Sequence, residues 1–169
     1  MRLSLRSTST RTFVALPAVL LAEQAVRRAP LDPSGLPLLV AGFAAYRLSG
    51  RYRLPRAGGP PGMTGMPEAL VTDGVYAWTR NPMYLGHLLF LSGLALTTRS
   101  PLAIAALATS GPWYGRRVAH DEARLGAAFG KEYARYTAAV PRWLPLRGPG
   151  RPDRLHWVNG QSFNSVEPP

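Results

Sequence analysis

Apolar and polar positions fall into long blocks along this chain. Thr12 to Ala22 is apolar apart from Pro17, with Glu23 close behind. Pro33 to Tyr46 carries no charge over 14 residues, Asn81 to Thr98 none over 18, and Ser100 to Gly115 none over 16. Helices are expected near 12–27, 33–48, 82–98 and 101–115. The second block alone reads more as a buried helix than as a span. The last two make an apolar hairpin of near-membrane length. Arg99-Ser100-Pro101 is its turn, because proline suits the first turn of a new helix. A signal peptide is an alternative reading of the first block, although Ala22-Glu23-Gln24-Ala25 is a poor cleavage site.

From Arg116 the period changes. Val118, Leu125, Phe129, Tyr133, Tyr136 and Val140 recur at steps of 7, 4, 4, 3 and 4, one face of an amphipathic helix that Pro141 stops. Between the second and third blocks, Gly and Pro make up 9 of the 18 residues 50–67, so that stretch reads as a loop without helix or strand. Residues 148–169 are polar and aperiodic and read as a disordered tail, leaving 1–147 as one domain.

Charge decides what surrounds these blocks. The 169 residues carry 20 Lys and Arg against 9 Asp and Glu, a net +11, and Lys131 is the single lysine. Such a balance calls for nucleic acid or an anionic membrane face. The cations flank the apolar blocks instead of covering a folded face, which favours a bilayer and argues against nucleic acid. With four spans, 17 of the cations fall on one side and 3 (Arg27, Arg28, Arg99) on the other. That split places both termini, and any site between them, on the cytoplasmic side of a cell inner membrane. The expectation is an all-α integral membrane protein of about four transmembrane helices plus a C-terminal amphipathic cytoplasmic helix. Zero cysteines exclude disulfide scaffolds, Cys nucleophiles and zinc ribbons, and no other metal-ligand spacing is present.

Candidate chemistry concentrates at two places. Asn81-Pro82 reads as a helix start, an N-cap followed by a proline pre-set for the first turn. The free N–H groups of that turn suit a carboxylate or phosphate, with Arg80 beside them and Tyr76, Trp78 and Tyr84 gathered nearby. The plainer reading is an interfacial aromatic belt over an ordinary cap. The second place is Arg116-Arg117-Val118-Ala119-His120-Asp121-Glu122. At 100° per residue, Glu122 falls about 40° from Val118, inside the apolar stripe, and needs a cationic partner there. Asp121 lies on the stripe's edge, one turn after Arg117. A solvated helix start with acids complementing the dipole is the plainer reading here. His87 and His120 read as polar residues between packed helices. Gly86 and Gly93, seven apart, read as sites of close helix packing.

Together these motifs resemble the isoprenylcysteine carboxyl methyltransferases and the related phospholipid methyltransferases. Val71-Thr-Asp-Gly-Val-Tyr-Ala-Trp-Thr-Arg-Asn-Pro-Met-Tyr-Leu-Gly86 is similar to the first half of their signature. Asp121-Glu-Ala-Arg-Leu, Phe129-Gly-Lys-Glu-Tyr-Ala-Arg-Tyr136 and Val140-Pro-Arg-Trp-Leu-Pro145 are similar to the second. The resemblance covers about residues 68–145. It implies a small membrane enzyme that uses S-adenosylmethionine without a Rossmann fold. The cofactor would meet Glu68, Ala69, Leu70, Val71, Tyr76, Asn81, Pro82, Met83, Tyr84, Asp121 and Glu122, and Arg117 would meet a lipophilic or lipid acceptor. Two positions depart from the pattern: Asn81 replaces a frequent His, and Asp121-Glu122 replaces a frequent Glu-Glu. A membrane sterol reductase using NADPH, and a non-catalytic adaptor of the same fold, are the alternatives. Neither the acceptor nor the oligomeric state is legible from these residues.

Overall fold

The structure is a computed structural model that describes residues 7–58 and 67–144. The described residues contain helices and turns and no strand. Four helices carry the fold: α1 (Leu16–Arg27), α2 (Leu36–Ala57), α3 (Pro82–Thr98) and α4 (Pro101–Ala139). A helical lead-in precedes α1, one short α turn at Thr8–Thr10 and a π-helical turn at Arg11–Ala15.

Each helix end follows from its local sequence. Arg28 closes α1 in the left-handed conformation, and Arg99 does the same for α3. Ser100 then starts α4, its hydroxyl accepting from the N–H of Leu102 and Ala103, with Pro101 next. Asp32 caps the short 3-10 turn Pro33–Gly35 that leads into α2.

α2 and α3 lie against each other along most of their length. Glycines permit the approach. A Cβ on Gly86 would stand 2.7 Å from the Gly42 carbonyl oxygen and 2.7 Å from the Tyr46 nitrogen, and one on Gly93 would stand 2.7 Å from the Leu39 nitrogen. The expected close packing at Gly86 and Gly93 is therefore present, and Gly42 on α2 and Gly35 just before it answer them, also seven residues apart. The core joins α1, α3 and α4 through Leu20, Tyr84, Leu91, Leu94, Ala103, Tyr114 and Val118. A second cluster of Tyr133, Tyr136 and Val140, backed by Leu70, Leu125 and Phe129, uses the face expected from the 3.6-residue period.

At one end of the bundle the two interhelix turns are clasped. Gln24 donates to the Thr98 carbonyl (3.0 Å), Ser100 donates to Glu23 (2.5 Å), and Asp32 pairs with Arg99.

Three expectations change. The last apolar block and the amphipathic helix form one 39-residue helix, since Arg116 and its neighbours supply no breaker. Its break comes instead at Gly130 (φ 46°, ψ −117°). The supposed loop 50–67 is helical as far as Ala57, where Gly58 at φ 62° ends the helix. Arg and Leu are good helix formers, and Pro55 in the last turn removes a single bond. The Ala57 carbonyl is then satisfied by the N–H groups of Glu68 and Ala69. Residues 59–66 of that loop, and the tail 148–169, lie outside the described residues. Third, among the described residues no helix is long and apolar enough to cross a membrane. α3, the most uniformly apolar, is 17 residues long, and α2 carries Arg47, Arg51, Arg53 and Arg56 in its second half.

Candidate functional site

The segment 68–81 has little regular structure of its own, so its position depends on what holds it. Three anchors do so. The Tyr52 hydroxyl, on the last turns of α2, donates to Asp73 (2.7 Å), and the Tyr52 ring lies where a Cβ on Gly74 would fall. Gly74 has φ 56°, a conformation that glycine takes without strain. As the second anchor, the Tyr136 hydroxyl donates to the Tyr76 carbonyl (2.8 Å), and the Arg80 backbone N–H donates to the Pro141 carbonyl (3.0 Å).

The third anchor is an ion cluster around Glu122. Arg80 donates to Glu122 Oε1 through Nε and Nη2 (3.2 and 3.0 Å), and Arg142 donates to Oε2 through Nε and Nη2 (3.0 and 2.6 Å). Asn81 Nδ2 adds a longer contact to Oε1 (3.4 Å) and a bond to the Arg142 carbonyl (3.2 Å). The remaining Arg80 nitrogen caps the end of α4 at the carbonyls of Thr137 and Val140, both 2.9 Å away. Burial pushes the Glu122 carboxyl up, but the hydrogen bonds and charges of Arg142 and Arg80 outweigh it and hold it below its ordinary value. The cationic partner that the helical wheel required of Glu122 is thus supplied twice.

Between this segment, α2, the head of α3 and α4 lies a cleft of about 800 Å³ including its mouth. Ala69, Leu70, Val71, Tyr76, Asn81, Pro82, Met83, Tyr84 and Asp121, nine of the residues singled out from sequence, line it together. Asp121 is its acid. Oδ2 accepts from the Tyr84 hydroxyl at 2.6 Å and lies 3.4 Å from Arg117 Nε. Oδ1 is buried and accepts no hydrogen bond, with His120 and Arg124 at 3.7 and 3.8 Å. Burial raises the Tyr76 phenol to about 12 and pushes Tyr136 up as well, so both stay neutral and serve as aromatic walls, not bases.

Three residues stand elsewhere than expected. Glu122 does not line the cleft, because both its oxygens are taken by Arg80 and Arg142. Glu68 is exposed beside Gly58, its amide spent on the Ala57 carbonyl. Arg117 sits behind Tyr84 and Asp121 and outside the cleft wall. Asn81 starts α3, but its side chain turns to Glu122 and gives the helix no capping bond. Sequence reasoning missed Arg53 and Arg124 in the wall. Arg124 was legible one turn after Asp121; Arg53 was hidden by the loop reading of 50–67.

The arrangement offers a carboxylate with one oxygen free of hydrogen bonds, aromatic walls and several guanidinium groups, with no group of three potential metal ligands among the described residues. It suits a zwitterionic ligand with an apolar or aromatic body.

No solved structure matches the chain. Curated relatives do. Protein-S-isoprenylcysteine O-methyltransferase of Homo sapiens is 36% identical over 80 residues, covering 47% of this chain and 28% of that protein. The Xenopus laevis protein of the same name is 34% identical over 81 residues, with the same coverage. Protein-S-isoprenylcysteine O-methyltransferase B of Arabidopsis thaliana is 34% identical over 78 residues, 46% of this chain and 40% of that protein. The chain therefore matches less than half the length of these relatives. The phospholipid methyltransferase profile matches residues 34–131, which spans α2, the segment 68–81, α3 and the Asp121-Glu122 pair. That match covers most of the described bundle, and the chain belongs to the phospholipid methyltransferase family.

Proposed function

We propose that the domain is an S-adenosylmethionine-dependent methyltransferase acting on a lipophilic or membrane-embedded acceptor, an isoprenylcysteine-type carboxylate or a lipid amine headgroup. The observation that carries this reading is Asp121, a carboxylate in the wall of the cleft whose buried Oδ1 has no hydrogen-bond donor. A carboxylate so placed suits an ammonium group, as on the amino-acid end of S-adenosylmethionine. Bound there, that cofactor supplies an electrophilic methyl group on a sulfonium.

The chain's own residues have correspondingly little covalent work. Asp121 holds the ammonium, with Tyr84 fixing its other oxygen. Tyr76, Tyr84 and Tyr136 line the cleft and would offer aromatic surface to the cationic centre. Asn81, Pro82 and Met83 shape the floor at the head of α3, and Ala69, Leu70 and Val71 form the rim. The Glu122 cluster keeps floor and rim in register. Arg117, kept charged by its hydrogen bond to Tyr84 and then by Asp121, stands outside the cleft wall and would orient the acceptor's carboxylate or phosphate from that side. Catalysis is then positioning and exclusion of water around a nucleophile that the acceptor brings.

We also propose that the bundle sits in the bilayer with the cleft on the cytoplasmic side. Two observations support this: the 17-to-3 cation split, and large apolar side chains exposed on all four helices, among them Val19, Val40, Phe43, Leu96, Leu102 and Ile104. At 1.5 Å per residue, α3 is about 26 Å long, a few ångströms short of a typical hydrocarbon core. Local thinning of the bilayer accommodates such a mismatch at modest cost.

The family and the relatives' names favour methyl transfer over the NADPH-reductase and adaptor readings. Calorimetry on detergent-purified protein tests the choice. Binding of S-adenosylmethionine and S-adenosylhomocysteine is expected; binding of NADPH alone, or of neither, rejects the proposal.

A further inference from the structure

The cations of the cleft are not equivalent. Arg80 spends all three nitrogens on Glu122, Thr137 and Val140. Arg124 stands over Asp121. Arg53 lines the same cleft from α2, is half-buried, and makes no hydrogen bond or ion pair with any described residue. Its neighbour in the wall is Tyr76, a neutral phenol on which its charge acts. The backbone on either side is fixed. Tyr52 is tied to Asp73 and packed on Gly74, and Ala57 is bonded to Glu68 and Ala69. Arg53 is thus a guanidinium presented to the cleft from an anchored helical turn, without a counter-charge among the described residues.

Resting on the methyltransferase reading, we infer that Arg53 is the anchor for the α-carboxylate of the bound cofactor. Asp121 on α4 and Arg53 on α2 then receive the two ends of one zwitterion, the ammonium and the carboxylate. A planar fork of N–H donors suits a carboxylate in two-point contact. The head of α3 offers one N–H donor fewer than an ordinary helix start, because Pro82 has none. The assignment also accounts for the helical turns of α2 beyond Gly50, which carry Arg53 to the cleft.

The experiment compares two ligands that share the nucleoside and the sulfur. S-adenosylhomocysteine carries the amino-acid end and 5′-methylthioadenosine lacks it. In calorimetry on the full chain in detergent, Arg53→Ala is expected to weaken S-adenosylhomocysteine about tenfold or more, one charge-assisted contact, and to leave 5′-methylthioadenosine unchanged. Arg53→Lys should recover part of the loss. Equal losses for both ligands would reveal a merely structural role and overturn the inference. So would unchanged affinity for S-adenosylhomocysteine, including the case where only the KM for N-acetyl-S-farnesylcysteine rises, which would hand Arg53 to the acceptor. If the parent protein binds neither ligand, the methyltransferase reading fails first and this inference with it.

Discussion

Asp121 and Glu122 are adjacent acids in one helical turn, yet their surroundings divide them. Asp121 keeps one buried oxygen without a hydrogen bond, whereas Glu122 is saturated by two arginines and an asparagine. Different outcomes are therefore expected from isosteric neutralisation. Asp121→Asn should cost about 1.5–3 kcal/mol of S-adenosylmethionine binding, roughly 10- to 150-fold by calorimetry. Glu122→Gln should bind nearly as the parent does but melt earlier, by about 1–3 kcal/mol, since Arg142 is half exposed and screened. The pH dependence has a definite sign. The Glu122 carboxyl is held below its ordinary value of 4.5 in the folded protein. Its contribution is therefore complete above about pH 4.5 and is lost as pH falls through the lowered value. The melting curve of Glu122→Gln against pH should be flatter than the parent's on the acid side; parallel curves would show that the cluster does not hold the C-terminal turn.

Among the elements, the α2–α3 pair depends on backbone contact where a Cβ cannot enter. Gly86→Ala puts a methyl 2.7 Å from two main-chain atoms of α2 and should destabilise by about 1–3 kcal/mol. Gly111 in α4 has nothing within 4 Å of its would-be Cβ, and Gly111→Ala should raise the melting temperature, by about 0.5–1 kcal/mol of stability. Equal effects at the two positions would mean that α2 and α3 do not pack as described. The periodic features were the legible ones. The face from Val118 to Val140, the Arg99-Ser100-Pro101 turn and the pairing of Arg117 with Asp121 follow from spacing alone. What was not legible depended on contacts far along the chain. Composition alone made 50–57 look like loop, because the bonds from Glu68, Ala69 and Asp73 that secure that turn come from the next segment. Asn81 looked like a cap because its competing partners, Glu122 and the Arg142 carbonyl, are 41 and 61 residues away. The same distance effect separated Glu122 from Asp121.

For the whole molecule, site access in the proposed membrane arrangement depends on orientation in the bilayer. The cleft opens where the head of α3 meets α4, at the end of the bundle opposite the clasp of Gln24, Asp32 and Arg99. The few cations at the clasp and the many at the cleft end reproduce the asymmetry that sets topology. In the proposed orientation a methyl donor made in the cytoplasm would reach the cleft directly, and an acceptor held in the membrane would approach from the side, past the exposed apolar faces of the helices. The chain lacks cysteine, so a single introduced thiol reports its side without background. Pro30→Cys, between α1 and α2, should react with an impermeant maleimide added outside intact cells. Lys131→Cys, on the exposed last turns of α4, should react only after the membrane is opened. Inverse labelling would turn the protein over and put the cleft on the far side from the cofactor pool. Labelling of both thiols in intact cells would remove the spanning arrangement altogether, leaving the arginines at the cleft end to bind the surface of a membrane that the helices do not cross.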